Sequence, residues 1–566
     1  MSFIASMPPL SRRAVLVVTG LGAVAGLVEG VSRLSAPASS ASAASPGPSA
    51  LPAASTSSVS SVSSSTQSLR ARFHMTPPSG WLCDGQRPLR YDGTTFFYYL
   101  HADDNAGAGG WNLATTDDLV TFVDHQQVIE SRGNEPVWTG SAVVDEDDTA
   151  GLGAGTLVVL ATRLPDGQPI RQQQYMYFSR DGESFSLRPD PVIANPDADT
   201  AVTAEEVDNA EWFRDPKVTW DPDRSQWICV IGRRKYLSLY VSADLTDWTW
   251  ASNFDYLRGD VPDLGGMECP DIFRIVADDG SAHWVLGASM DAYDAGLPTG
   301  YAYWVGRWDG ANFTTDTLMP QWLDRGWDWY SAVTWPSPDD PEGLRYAIAW
   351  MNNWRYAARD VPTDASDGYN GQMSVVRRIR LVRQPEGWYS LQSDPVPALR
   401  DVMDEPCELS AQRVSGWQTL AWSGRAYELE LDIEWDVATD VGVAVGCSED
   451  DSRYTSIGVT DGTIYVDRGP CDLEWCSFLP YWRAEAPVLP LGSPEGPRRH
   501  AERRSVRRRR AHGALPAGVL HGRGRGSAAV LLRGRGDLLQ HRLARDRLRL
   551  TRPPWKPVLR LLNTRG

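Results

Sequence analysis

Cysteine is scarce in this 566-residue chain: the seven residues, at positions 83, 229, 269, 407, 447, 471 and 476, are odd in number and scattered. That spacing offers neither a disulfide framework nor a zinc-ligand pattern, and the seven read as packing residues. Histidine is also sparse. Of eight, His74, His101, His125 and His283 lie in the body of the chain, and none stands in a motif that would partner a nucleophilic cysteine. Positive charge is in deficit, with 55 Lys and Arg against 72 Asp and Glu, a formal net of −17. Such an acidic chain suits a neutral substrate and argues against nucleic acid as a partner. The apolar run from Ala14 to Val28 is too short to span a bilayer comfortably, and no long stretch shows clean helical periodicity. No metal or cofactor motif is present, and none is expected.

Tryptophan, by contrast, is abundant, with 24 residues. Some of these rings suit the stacking of sugar faces, and most suit the cores of a β-rich protein. The two ends are unlike the middle. Arg12-Arg13 ahead of a mild, Gly-containing apolar stretch resembles a twin-arginine export signal, with a cleavable Ala41-Ser42-Ala43 site. Residues 1–44 are therefore expected to be a signal peptide, 45–70 a Ser/Ala/Pro linker, and the mature protein secreted and extracellular, free of the membrane. After Pro494 there are 20 Lys and Arg against four Asp and Glu, so the first 493 residues carry −33. A basic tail for an anionic polymer is one reading. A shifted reading frame is preferred, because apolar/polar alternation stops near Leu491.

Between the ends, short β-type runs alternate with Asp/Gly/Pro turns; Thr95–Leu100, Thr156–Leu160, Trp227–Ile231 and Tyr346–Trp350 are examples. A polar residue, Asp, a turn and an aromatic recur at Thr116–Phe122, Ser179–Phe185 and Ser242–Trp248. The repeat predicts a five-bladed β-propeller over residues 71–402. From 403 to 493, alternation such as Tyr427–Ile433 predicts a β-sandwich, cut short where the Arg-rich segment begins. The fold class is all-β.

Three acidic motifs stand out: Gly80-Trp81-Leu82-Cys83-Asp84, Trp212-Phe213-Arg214-Asp215-Pro216 and Gly266-Met267-Glu268-Cys269-Pro270-Asp271. Each sets a carboxylate beside an aromatic, Cys or Pro rather than in a solvated run. Residues far apart in sequence can meet at the axis of a propeller. Cleavage of a glycosidic bond needs two such carboxylates, one ionised and one kept protonated.

The order and neighbours of these motifs resemble glycoside hydrolase family 32, the fructan- and sucrose-cleaving enzymes. Supporting elements are Trp138–Ala142, Trp327–Ala332, Trp350–Trp354, Gly371–Ser374 and Tyr465–Arg468. The resemblance implies Asp84 as nucleophile, Glu268 as general acid/base and Asp215 as transition-state stabiliser. It implies that Arg214 holds the cluster. Trp81, Gln86, Trp138, Ser141 and Asn353 are the expected sugar contacts, with packing as the alternative for each. No metal or cofactor is implied, and the partner is a polysaccharide.

Departures from the family pattern fall at the pocket: Cys83 precedes the nucleophile, Gly85-Gln86-Arg87 follows it, and Leu100 stands where a Gln is usual. The string His74–Asp84 is similar to the levan fructotransferase branch, and so is Asp360–Gly371. That likeness implies cutting of β-2,6-fructan two sugars from the non-reducing end. The 6-hydroxyl of the terminal fructose would then close difructose dianhydride IV. The alternatives are an exo-acting hydrolase of levan, inulin or sucrose, a non-catalytic fructan-binding module, and a five-bladed arabinan-cleaving enzyme.

Overall fold

Short acidic turns set the spacing of the strands. Asp118 Oδ1 accepts from the amides of Val120 and Thr121, Asp181 Oδ1 from those of Glu183 and Ser184, and Asp244 Oδ1 from those of Thr246 and Asp247. Asp309 repeats the arrangement with Ala311 and Asn312. In each turn the residue after the Asp has a left-handed φ: Leu119 at 65°, Gly182 at 75°, Leu245 at 63° and Gly310 at 104°. A carboxylate that accepts two successive amides satisfies a backbone leaving a strand, which is why Asp recurs there.

The computed structural model describes residues 68–103, 109–258, 261–357, 361–433, 435, 440–460, 462–469, 483–487, 527–533 and 559–563. Residues 1–44, expected to be a signal, most of residues 45–70, expected to be a linker, Cys471, Cys476 and most of the Arg-rich tail lie outside the described residues. Among those described, the chain is mostly β, with short helices at Ala204–Ala210 and Pro362–Asp367.

Five sheets follow one another in sequence, each built on an antiparallel meander of four strands, with two further strands added to the first sheet and one to the fourth. Their first strands are Gly80–Gly85, Val137–Asp145, Arg214–Asp221, Met267–Val276 and Tyr330–Pro336. Apolar clusters fill every gap between neighbours. One joins the first sheet to the second and fifth through Leu82, Trp111, Val159 and Trp350. Others join second to third through Leu160 and Ile231, third to fourth through Leu239 and Leu286, and fourth to fifth through Ile275 and Ile379. The sheets therefore form a closed ring in chain order. Both faces of each sheet are covered, so strands such as Thr156–Arg163 are buried along their whole length and read as continuous apolar runs. The ring is also latched, because Tyr369–Asn370 pairs in parallel with Gly80–Gly85 and the Gly80 amide donates to Gly368 O at 2.9 Å. Trp111 is fully buried and its Nε1 donates to Trp138 O at 2.9 Å, tying the first sheet to the second. Burial of a large side chain of this kind contributes about 1.5–3 kcal/mol.

Beyond the ring lie two further sheets. The smaller has the order Cys407–Leu409, Leu559–Asn563, Tyr427–Glu430. The larger runs Gly416–Ser423, Ser527–Arg533, Asp440–Cys447, Thr455–Thr460, Thr463–Asp467, Arg483–Pro487. Two strands in these sheets come from beyond residue 493, where the second domain was expected to end. Each pairs on both sides with strands from the preceding sequence.

Candidate active site

The pairing register breaks once near the start of each of the five first strands. The breaks fall between Leu82 and Gly85, Val137 and Gly140, Arg214 and Lys217, Glu268 and Asp271, and Tyr330 and Val333. A bulge of this kind bends a strand and re-aims its side chains. Within or beside these five breaks lie Asp84, Thr139, Asp215, Glu268, Cys269, Tyr330 and Ser331. Asp215, Cys269 and Ser331 hold left-handed φ values of 62°, 45° and 52°. Such conformations are strained for residues other than glycine, and they cluster at functional sites.

The bulges bring the three carboxylates together. Asp84 and Asp215 are 7% and 5% exposed. Thr139 Oγ1 donates to Asp84 Oδ2 at 2.7 Å, while Asp84 Oδ1 is buried with no hydrogen-bond partner among the described residues. Asp215 Oδ2 accepts from the Cys269 amide at 2.9 Å, and the Asp215 amide donates to Thr162 Oγ1 at 2.9 Å. The Cys269 thiol lies 3.8 Å from Asp84 Oδ2, 3.7 Å from Asp215 Oδ2 and 3.0 Å from Ser331 Oγ. Cys269, expected to be a packing residue, therefore bridges the two aspartates. Burial, then the charge of Asp84, raises its pKa well above the usual thiol value and keeps it a neutral donor. Glu268 Oε1 accepts from Arg214 Nη2 at 2.8 Å and Nε at 3.3 Å, and Glu268 Oε2 accepts from the Tyr330 hydroxyl at 2.7 Å. The Arg214 guanidinium lies 3.7 Å from the centre of the Trp212 ring and 6.0 Å from that of Trp138.

Burial pushes Asp84 up to about 6; the Thr139 hydrogen bond opposes this and the Glu268 charge adds to it. Burial pushes Asp215 up to about 7 against the pull of Arg214. Three carboxylates thus share one buried site with one guanidinium, and the cluster holds a proton near neutrality.

The remaining expected sugar contacts divide. Trp81 is buried with Nε1 unpartnered among the described residues, its ring 5.9 Å from Trp354 and 6.4 Å from Trp350. Gln86 is fully buried: its Nε2 donates to Asp84 O at 3.2 Å and its Oε1 accepts from the Gly140 amide at 2.7 Å. Ser141 Oγ accepts from the Val218 amide at 2.9 Å. Asn353 Nδ2 donates to Trp327 O at 2.7 Å and its Oδ1 accepts from the Arg355 amide at 2.9 Å. Each of these three is thus braced by backbone groups. Thr139, Cys269, Tyr330 and Ser331 are neighbours of the carboxylates that the motifs contain but to which the sequence reading gave no role in the site. Pro216 and Pro270, inside strands, were the available sign, since proline within a sheet marks a bulge.

A cavity of about 600 Å³ opens elsewhere, against Arg87, Trp220, Trp227, Trp335 and Tyr346, and none of the three carboxylates lines it. Among the described residues no group of three His, Cys, Asp or Glu side chains is placed to hold a metal ion.

Residues 74–393 match the family described as Glycosyl hydrolases family 32 N-terminal domain. The chain belongs to glycosyl hydrolase family 32. Over 410 residues it is 39% identical to the levanbiose-producing levanase of Bacillus subtilis (strain 168), spanning 70% of this chain and 75% of that protein. It is also 39% identical over 396 residues to the levanbiose-producing levanase of Geobacillus stearothermophilus, spanning 68% of this chain and 95% of that one. Among solved structures it resembles an exo-inulinase from Aspergillus awamori, with TM-score 0.62 and 23% identity over 75% of this chain and 87% of that chain. A fructofuranosidase from Schwanniomyces occidentalis complexed with fructose gives TM-score 0.62 and 24% identity over 75% and 86%. At that identity the likeness is one of fold.

Proposed function

We propose that this protein is an exo-acting levan hydrolase that releases fructose units in pairs by double displacement. The ring reads as a five-bladed propeller and the two outer sheets as a sandwich, with residues 1–44 serving export. The observation that carries the reading is the convergence of Asp84, Asp215 and Glu268 at three of the five bulges, in a chain 39% identical to two levanbiose-producing levanases.

Asp84 Oδ1 attacks the anomeric carbon while Thr139 holds Oδ2. The leaving glycosidic oxygen takes the proton of the cluster through Glu268, whose carboxyl Arg214 and Tyr330 orient. Asp215 remains beside the ring as oxocarbenium character develops. In the second step Glu268 takes a proton from water, which displaces Asp84. The transfer reading shares the first step and differs in the second, where the tethered 6-hydroxyl replaces water.

The test is product analysis of purified protein on levan, with inulin and sucrose alongside. Levanbiose with a reducing end is expected from levan, and Asp84→Ala and Glu268→Ala should abolish it. A non-reducing cyclic disaccharide would restore the transferase reading. Free fructose as first product, or turnover of inulin and sucrose but not levan, would overturn the proposal.

A further inference from the structure

A second charged layer lies along the inner strands beneath the carboxylates, and the chemistry above makes no use of it. Lys217 Nζ is 3.0 Å from Asp271 Oδ1, and Thr334 Oγ1 donates to Asp271 Oδ2 at 2.6 Å. Arg345 Nε and Nη2 donate to Thr334 Oγ1 at 3.1 and 3.0 Å, and Arg87 Nη1 donates to Val218 O at 2.6 Å. Lys217, Asp271 and Arg345 are 3%, 0% and 4% exposed. Three cations therefore face one carboxylate, the reverse of the catalytic layer, where three carboxylates face Arg214. Lys217 follows Asp215 by two residues, Asp271 follows Glu268 by three, and Arg87 follows Asp84 by three. At the rise of a β-strand the two layers are about 7–10 Å apart.

We propose that Arg87, Lys217 and Arg345 form a positioning layer whose surplus positive charge favours the ionised form of the nucleophile Asp84 and sets the acid limit of activity. This rests on the catalytic reading of Asp84, Asp215 and Glu268. Burying cations without matching anions is costly, and a neighbouring layer of opposite surplus offsets that cost. Burial pulls Lys217 down to about 8 and Arg345 down to about 9, so both stay largely protonated at the pH where Asp84 titrates. The other ionisable groups facing the two layers are Cys83, Cys269, Tyr301 and Tyr330. All four are buried, with pKa values raised well above their usual ones, so they add no charge. Asp291 and Glu211 lie at the edge of the catalytic layer, near Tyr330 and Arg214.

The experiment is the pH profile of kcat/KM on levan for wild type, Lys217→Met, Lys217→Arg, Arg87→Met and Arg87→Lys, each checked for folding by its melting curve. Loss of one cation at this distance should move the acid limb of each Met variant up by about one pH unit. The charge-retaining variants should keep the wild-type limb. If Lys217→Met does not fold, Arg87→Met decides, since Arg87 lines the cavity and is less deeply buried. Folded Met variants whose limb coincides with wild type would overturn the proposal, and lowered kcat without a shift would make the layer merely structural. If wild type is inert on levan but cleaves sucrose, the substrate assignment fails instead, and the same profiles on sucrose still decide this point.

Discussion

At Asp84 the two carboxylate oxygens have different surroundings, and that asymmetry governs when the group can act. Thr139 holds Oδ2, and this bond favours the ionised form against the burial that pushes Asp84 up to about 6. An attacking carboxylate must be ionised, so kcat/KM should fall as pH drops through about 6. Thr139→Val removes the donor at nearly constant volume. A hydrogen bond to a charged group contributes about 1.5–3 kcal/mol, so the acid limb should move up by about 1–2 pH units. An unmoved limb in the folded variant would mean that Asp84 does not titrate there. Tyr330→Phe makes the matching test at Glu268. Loss of the 2.7 Å bond should lower kcat by about 10–100-fold with little change in KM, as steady-state kinetics would show. At this scale the carboxylates were legible because motifs flag them. The bracing of Gln86, Ser141 and Asn353 was not legible, because a polar residue beside a motif looks the same whether its atoms face a sugar or a backbone amide.

Five bulges convert a sheet repeat into a site, and they do so by local strain. Asp215, Cys269 and Ser331 sit at matching places in three successive sheets with φ of 62°, 45° and 52°. A β-branched residue tolerates that region poorly, whereas glycine enters it freely. Replacing Cys269 by Gly or by Val removes the thiol in either case, so the pair isolates the backbone. The Val variant should be less stable than the Gly variant by about 1–3 kcal/mol, measured from urea midpoints. Equal stability would mean that the bulge relaxes and stores no strain. The Asp turns were readable from sequence because their chemistry is local: one side chain satisfies the amides that follow it. The bulges were not, since a register break depends on the partner strand. Only Pro216 and Pro270 betray it from within the strand itself.

On the scale of the whole molecule, an ion pair ties the segment after Thr463–Asp467 of the larger outer sheet to the catalytic ring. Arg468 Nη1 lies 2.7 Å from Asp328 Oδ2, and the Tyr356 hydroxyl donates to the other oxygen of the same carboxylate. Asp328 stands two residues before Tyr330, the donor to Glu268. Anything that loosens the outer sheets therefore loosens the segment that orients Glu268. The composition of the Arg-rich tail concealed its part in those sheets, because arginine and glycine interrupt the alternation that marks strands elsewhere. Yet Ser527–Arg533 pairs with Gly416–Ser423 on one side and with Asp440–Cys447 on the other. A chain ending at residue 493 would leave both neighbours with unpaired edges. The apolar clusters of the ring draw on no residue beyond 403, so the ring should still fold. In limited proteolysis, cleavage should concentrate in residues 403–487 and leave a resistant fragment spanning the five sheets. Turnover should fall, because Arg468 would no longer hold Asp328. Equal resistance and equal turnover in the two lengths would mean that the tail strands contribute nothing to the fold.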